Sequence, residues 1–297
     1  MSALLVNGSK IIIGYISLFG VSVLSVSAAA DDYLWLEDVE GSQALSWVEE
    51  QNARSLPSLM SHPAYEELYQ NALAIHNSTV RIPDVSRRGE YLYNLWRDAI
   101  YARGLYRRTT LEEFRKDSPQ WETIIDLDQL ARDEGQNWTW SGITCLPPLN
   151  QQCLISLSNA GSDAVVIREF DMASKTFVEG GFELPAGRSN VAWLDENTVM
   201  VGTVTLGSAA TTSGYPAQLK RWQRGQNLAE IEPLVSASTA SVGIYPRVLR
   251  DGQNSYAMAH ESLTFYTADR VVVTDAGLVN LPIPDDSTIA GLFQHQL

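Results

Sequence analysis

The sequence predicts a mainly β chain led by a short helical segment. After Pro83, short runs of β-branched and aromatic residues alternate with Gly, Asn, Asp and Pro, the texture of an all-β sandwich, barrel or propeller. Candidate hairpin turns, Asp195-Glu196-Asn197 and Asp251-Gly252-Gln253-Asn254, each sit between two such runs. From Asp31 to about Ile75, by contrast, apolar residues recur at three-to-four spacing, which is helical periodicity.

In chain order, Leu34, Trp35 and Leu36, then Ala44, Leu45, Trp47 and Val48, then Leu56, Leu59, Tyr65, Leu68 and Leu73 mark the helical faces. Ser42 is expected to cap one helix, and Ser61 or Pro63 to open another. Strands are expected at Tyr91–Trp96, Trp121–Leu127, Cys153–Leu157, Ala164–Phe170, Val191–Leu194, Thr198–Val204 and Gln218–Trp222. Ser255–Ala259, Thr264–Thr267 and Val271–Thr274 complete the set. A propeller blade would repeat four strands every roughly 40–50 residues. Trp193-Leu194-Asp195 and Val248-Leu249-Arg250-Asp251 are similarly placed but not alike, so repetition alone supports β structure rather than one β architecture.

The N-terminus reads as an export signal over residues 1–30. Lys10 precedes an apolar run from Ile11 to Val26, and Ser27-Ala28-Ala29-Ala30 supplies small residues before Asp31. That run is shorter than the roughly 20 residues a bilayer-crossing helix needs; an uncleaved N-terminal anchor is the competing reading. With no second hydrophobic stretch, the mature protein is expected to be soluble and periplasmic or extracellular, without a stable membrane span. Export bears on the two cysteines. Cys145 and Cys153 flank a turn-rich Leu-Pro-Pro-Leu-Asn-Gln-Gln connection between two strand-like runs. An oxidising compartment would favour a disulfide between them, the alternative being two half-buried thiols. Two cysteines are too few for a Cys-based zinc site.

The composition is globular, 45% hydrophobic and 19% charged, with eight Trp and twelve Tyr for a core. A formal charge of −14 argues against a nucleic-acid partner, since a phosphate backbone calls for a dense basic surface. Catalytic constellations are missing from the pattern. Acyl transfer on an α/β-hydrolase needs Gly-x-Ser-x-Gly at a strand-to-helix turn. The nearest approach, Gly187-Arg188-Ser189-Asn190-Val191, has Val where the last Gly should be and lies in strand-rich sequence. No serine stands three residues before Lys10, Lys116, Lys175 or Lys220, and His260-Glu261 is not followed by a second His at zincin spacing. His62, His76 and His295, the acidic pair Glu37-Asp38 and the pair Glu112-Glu113 read as surface or structural residues. No catalytic, cofactor-binding or metal-binding residue is assigned, and no cofactor is expected.

Several segments carry a family resemblance. Tyr33-Leu34-Trp35-Leu36-Glu37-Asp38 followed by Trp47-Val48-Glu49-Glu50-Gln51-Asn52 resembles the opening helix of prolyl oligopeptidases, with its Y-x-W-L-E-D and W-V-x-x-Q-N pattern. Arg103 to Phe114, and Trp121-Glu122 with Asp126-Leu127-Asp128, resemble the family's first blade. Ser156 to Ala164 leading into Arg168-Glu169-Phe170-Asp171 is the most specific match, and Gly181 to Pro185 and Ser213 to Pro216 follow in order. Asn159-Ala160 replaces the family's usual Arg-Gly, and Ala186-Gly187-Arg188-Ser189 replaces a Glu-Ala-Lys-Ser-like run.

The resemblance implies an incomplete β-propeller, about four to five blades of a seven-bladed family propeller, preceded by N-terminal α-helices. The implied domains are a signal peptide over 1–30, a helical segment over 31–80 that packs on the family's α/β-hydrolase domain, and a partial propeller over 81–297. It further implies the front of an exported serine peptidase that hydrolyses short peptides after proline, with the propeller gating access. The Ser, Asp and His of that chemistry lie outside this chain, which is expected to be inert alone. The alternative is a stand-alone secreted β-propeller-like binding module.

Overall fold

A computed structural model describes residues 31–296 apart from Val39, Gln253 and His295. The expected signal peptide, 1–30, lies outside the described residues. The chain divides into two compact units, one reaching to Gln70 and one starting at Asn71.

In the first unit a 3-10 turn over Leu34–Glu37 precedes α1, Ser42–Met60, and the start of α2, Tyr65–Asn77. Trp35 meets Trp47 edge-on at 6.3 Å. Ser42 does not cap α1: it is the first helical residue, after Gly41. Ser61 ends α1 instead of opening α2. Both helices keep much of their apolar periodicity in solvent, with Leu45, Val48, Leu56, Leu59, Leu68 and Tyr69 exposed.

The second unit contains four antiparallel sheets, each a meander of consecutive strands. Sheet 1 is β1 (Ser86–Arg88), β2 (Tyr91–Trp96), β3 (Leu105–Thr110) and β4 (Glu122–Asp126). Sheet 2 is β5 (Trp138–Cys145), β6 (Gln152–Asn159), β7 (Val165–Asp171) and β8 (Thr176–Phe177), with β9 (Glu183–Gly187) also paired to β7. Sheet 3 is β10 (Ser189–Asp195), β11 (Thr198–Thr203), β12 (Gln218–Gln223) and β13 (Val235–Ser236). Sheet 4 is β14 (Gly243–Asp251), β15 (Asn254–Ser262), β16 (Ala268–Thr274) and β17 (Gly277–Asn280). Two short α-helices interrupt the β pattern, α3 (Leu111–Phe114) between β3 and β4 and α4 (Leu127–Glu134) between sheets 1 and 2, as does a 3-10 turn over Leu228–Glu230 between β12 and β13.

The sheets stack face to face like the leaves of a fan. First strands of successive sheets touch, β5 with β10 and β10 with β14, so the fan converges on that side. This is an incomplete propeller, in which each sheet is one blade around an axis. Three apolar seams hold it. Tyr93, Tyr106, Trp138, Leu157 and Phe170 fill the seam between sheets 1 and 2. Leu154, Phe182, Trp193, Val201 and Trp222 fill that between sheets 2 and 3. Met200, Leu219, Ile244 and Ala259 fill that between sheets 3 and 4. The far face of sheet 4 is covered by Leu281, Ile283, Ile289 and Leu292 against Leu249 and Met258.

Polar bonds cross every seam. Arg103 of sheet 1 donates to the Trp138 carbonyl of sheet 2 at 3.1 Å. Lys175 after β7 pairs with Glu122 of β4 at 2.6 Å. Trp193 Nε1 of sheet 3 donates to the Thr144 carbonyl of sheet 2 at 2.9 Å. Arg224 after β12 grips Glu169 of β7 with both terminal nitrogens, at 2.7 and 2.9 Å. Glu169 is almost wholly buried, and its carboxylate also accepts from the Phe182 N–H at 2.9 Å. Arg250 of sheet 4 donates to the Trp193 carbonyl at 2.8 Å.

Cys145 and Cys153 stand opposite each other at the hairpin between β5 and β6 and are joined as a disulfide. The expected strand Thr264–Thr267 is instead the turn between β15 and β16. The Thr264 hydroxyl accepts from the Tyr266 and Thr267 N–H groups at 3.1 Å each, so side-chain bonding displaces the ladder.

Replacing Arg224 by Ala strands the buried Glu169 carboxylate and should cost about 3–5 kcal/mol by denaturant melting; a loss below ~1 kcal/mol would remove this pair from the list of seam bonds. Replacing both cysteines by Ser should cost on the order of 2–3 kcal/mol, the loop-entropy value for so short a ring, while non-reducing mass spectrometry of the parent chain should show the thiols two hydrogens lighter.

Candidate functional site

The residues with catalytic potential do not converge. Ser189, the centre of the Gly-x-Ser near-miss, opens β10 and bonds its hydroxyl to Thr203 at 2.7 Å, a cross-strand pair within sheet 3. His260 occupies a row on sheet 4 between Tyr245 and Arg270. Burial first, then Arg270 and Arg247, push its imidazole below the ordinary histidine value. His62 sits between the helices, where its Nδ1 accepts from the Ala64 N–H at 3.2 Å, and His76 closes α2. Glu112 and Glu113 stand in the first turn of α3, where Thr110 caps the Glu113 N–H at 3.2 Å, and Glu113 pairs with Lys116. Glu37 ends the 3-10 turn and Asp38 follows it. Among the described residues no group of three or more His, Cys, Asp or Glu could hold a metal ion.

The most distinctive chemistry lies on the outer face of sheet 1, turned away from sheet 2. Strand alternation puts Tyr91, Tyr93 and Leu95 toward the seam and Leu92, Asn94 and Trp96 on the other side. Arg107 pairs across the strands with Asn94 and lies between two indoles, 4.3 Å from the Trp96 ring and 4.2 Å from that of Trp121. Arg81 covers Trp96 as well, at 4.6 Å. The result is an alternating stack of two guanidiniums and two indoles, each contact a cation–π interaction.

This stack borders a cavity of about 640 Å³ whose walls include Arg81, Pro83, Trp96, Arg107, Phe114 and Trp121. Local bonds hold the walls in place. Asn94 Nδ2 donates to the Asp84 carbonyl at 2.7 Å and its Oδ1 accepts from Arg107 Nε at 3.0 Å. Arg81 is tied to the Arg97 carbonyl. Burial pulls the Arg107 guanidinium down to about 10, with Asp98 acting upward and Arg81 downward. Asp98 itself is held below the ordinary carboxylate range, chiefly by the Tyr101 N–H, and bonds Trp96 Nε1 at 2.8 Å. Sequence reasoning missed this cluster. Its members are spread from position 81 to 121: the β2–β3 register sets Arg107 near Trp96, and the segments before β1 and β4 bring Arg81 and Trp121 to them.

One end of the fan is also chemically distinct. The chain enters β1 at this end, and the loops between second and third strands lie there. They expose Ile100 in sheet 1 and, on the turn stiffened by Thr264, Phe265 and Tyr266, about 90% accessible.

Comparison with known proteins accounts for this arrangement. The family described as "Prolyl oligopeptidase, N-terminal beta-propeller domain" matches residues 20–228. The uncharacterized peptidase y4nA of Sinorhizobium fredii is 37% identical over 276 residues, which are 90% of this chain and 38% of that relative. The uncharacterized peptidase RP174 of Rickettsia prowazekii is 27% identical over 88% of this chain and 38% of its own. The solved structure of a post-proline cleaving enzyme from Rickettsia typhi superposes with a TM-score of 0.78 at 28% identity, covering 86% of this chain and 39% of that one. The chain thus spans about two-fifths of the length of these relatives. With the family model matched over well more than half of its residues, the chain belongs to the prolyl oligopeptidase family, within that family's N-terminal β-propeller domain.

Proposed function

We propose that this chain is the front portion of an exported serine peptidase that hydrolyses short peptides after proline, its propeller restricting access to small substrates. The observation that carries the reading is the likeness, at 28% identity and a TM-score of 0.78, to an enzyme named for post-proline cleavage. The Cys145–Cys153 disulfide suits an oxidising compartment. Among the described residues no helix is long and apolar enough to cross a membrane.

In this reading the propeller supplies selection and the part beyond it supplies chemistry. A rigid stack of blades admits what fits its openings and excludes folded chains, whereas nucleophile, base and oxyanion donors must converge within hydrogen-bond reach. The exposed apolar flank of α1, with Leu45, Val48, Leu56 and Leu59, is a docking surface toward that catalytic part, because contiguous apolar area of this kind is normally covered. The Phe265–Tyr266 tip faces the same task at the end of the fan where the chain enters.

The longer protein should cleave a chromogenic peptide with proline before the scissile bond faster than one with lysine or arginine there, by about tenfold or more as one residue-sized pocket allows. The 297-residue chain alone should cleave neither. Preference for the basic peptide, or turnover by the short chain, would overturn the assignment. N-terminal sequencing of exported material should begin near Asp31; retention of Lys10 would refute cleavage of a signal.

A further inference from the structure

Buried or half-buried arginines recur throughout the second unit, and each finds a carboxylate or an acceptor for a terminal nitrogen except one. Arg108 and Arg168 pair with Glu122 and Glu134. Arg88 donates to the Tyr106 hydroxyl, Arg103 to the Trp138 carbonyl and Arg188 to the Gly214 carbonyl. Arg224 holds Glu169, while Arg247, Arg250 and Arg270 donate to backbone carbonyls. Arg107 alone among them has neither a carboxylate nor an acceptor for its terminal nitrogens among the described residues. Its Nε bonds Asn94, its faces meet Trp96 and Trp121, and it lines the cavity on the outer face of sheet 1.

A half-buried guanidinium with an acceptor for its Nε alone keeps part of its desolvation cost. Its position says where the partner belongs. Each of the three seams in the fan is bridged by an arginine on or beside a strand of one sheet, reaching a backbone carbonyl of the next for Arg103 and Arg250 and a carboxylate for Arg224. The outer face of sheet 1 carries the arginine and lacks the neighbouring sheet. Propeller blades surround a channel, so a first blade has a neighbour on each side.

We propose that Arg107 receives a carboxylate borne by the sheet that closes the propeller onto sheet 1, with Trp96 and Trp121 forming the apolar walls of that ionic latch. This rests on the reading that the chain is the front of a longer protein. The latch works as Glu169 and Arg224 do between sheets 2 and 3: two planar groups meet in a pocket whose aromatic walls exclude water. Lysine would fit poorly, since the guanidinium plane is already clamped between two rings.

The test compares Arg107→Met in two proteins, the 297-residue chain and the longer protein. In the longer protein the substitution should lower the melting midpoint by about 5 °C or more, because it strands the incoming carboxylate. In the 297-residue chain it should lower the midpoint by clearly less, because only the Asn94 bond and the two indole contacts are lost there. If the Met variant of the longer protein fails to fold, Arg107→Lys should give a smaller drop there and none in the short chain. An equal drop in both proteins overturns the latch and reduces Arg107 to local packing. So does saturable, Arg107-dependent stabilisation of the short chain by acetate over chloride at equal ionic strength, which would name a dissolved carboxylate. A concentration-dependent effect in the short chain would name a second copy and overturns it too. Post-proline hydrolysis is measured alongside. Intact hydrolysis without the differential shift sinks the latch alone, and a differential shift in a protein without hydrolysis sinks only the functional reading.

Discussion

The contact between sheets 2 and 3 is the interaction on which the rest of the fold depends. Trp193 is buried against Phe182, with Trp222 packed edge-on to the same ring at 4.9 Å. Beside them Arg224 closes over Phe182 and holds Glu169. A four-stranded meander has two faces and cannot bury both alone, so each sheet needs a neighbour on either side. Sheets 2 and 3 have that arrangement. Sheets 1 and 4 have it on one face and make do with extended segments on the other, residues 79–84 and 281–292. Removing the central seam would leave two pairs of sheets, each with a bare apolar face.

That one-dimensional logic explains why the polar devices sit where they do. Apolar area alone lets one sheet slide on the next, since dispersion contacts are non-directional. The bidentate Arg224–Glu169 pair, the Trp193 indole on the Thr144 carbonyl and Arg250 on the Trp193 carbonyl each have a direction. They set the angle at which blades follow one another, and with it the size of any opening at the convergent side.

Much of this was legible in the residues, for physical reasons. Strand texture after Pro83 announced the β class because alternation and turn residues are local signals, and Asp195-Glu196-Asn197 does join β10 to β11. The family motifs stood in the family's order and placed the first blade at Arg103–Phe114 and Trp121–Asp128. Helix α4 was missed because Leu127, Leu130 and Ala131 give a short apolar stripe directly after a strand that ends in Asp126, its N-cap. The strand expected at Thr264–Thr267 failed because β-branched residues were read by propensity, whereas Thr264 bonds its own backbone. The stack of Arg81, Trp96, Arg107 and Trp121 was illegible for a deeper reason: no local pattern joins residues from four separate segments, and strand register together with the path of the flanking segments makes them neighbours. The apolar helical periodicity before Ile75 was clear, but periodicity says that a face wants covering and not what covers it.

The account turns on which sheets are covered on both faces, and native-state amide hydrogen exchange reads that directly. Amides of the inner strands β6 and β11 should exchange slowest, through global opening, while those of the equally inner strands β2 and β15 should exchange faster through local opening of sheets that pack against another sheet on only one face. Equal protection of all four strands would contradict the account, because it would mean that the outer faces of sheets 1 and 4 are as well covered as the central seam.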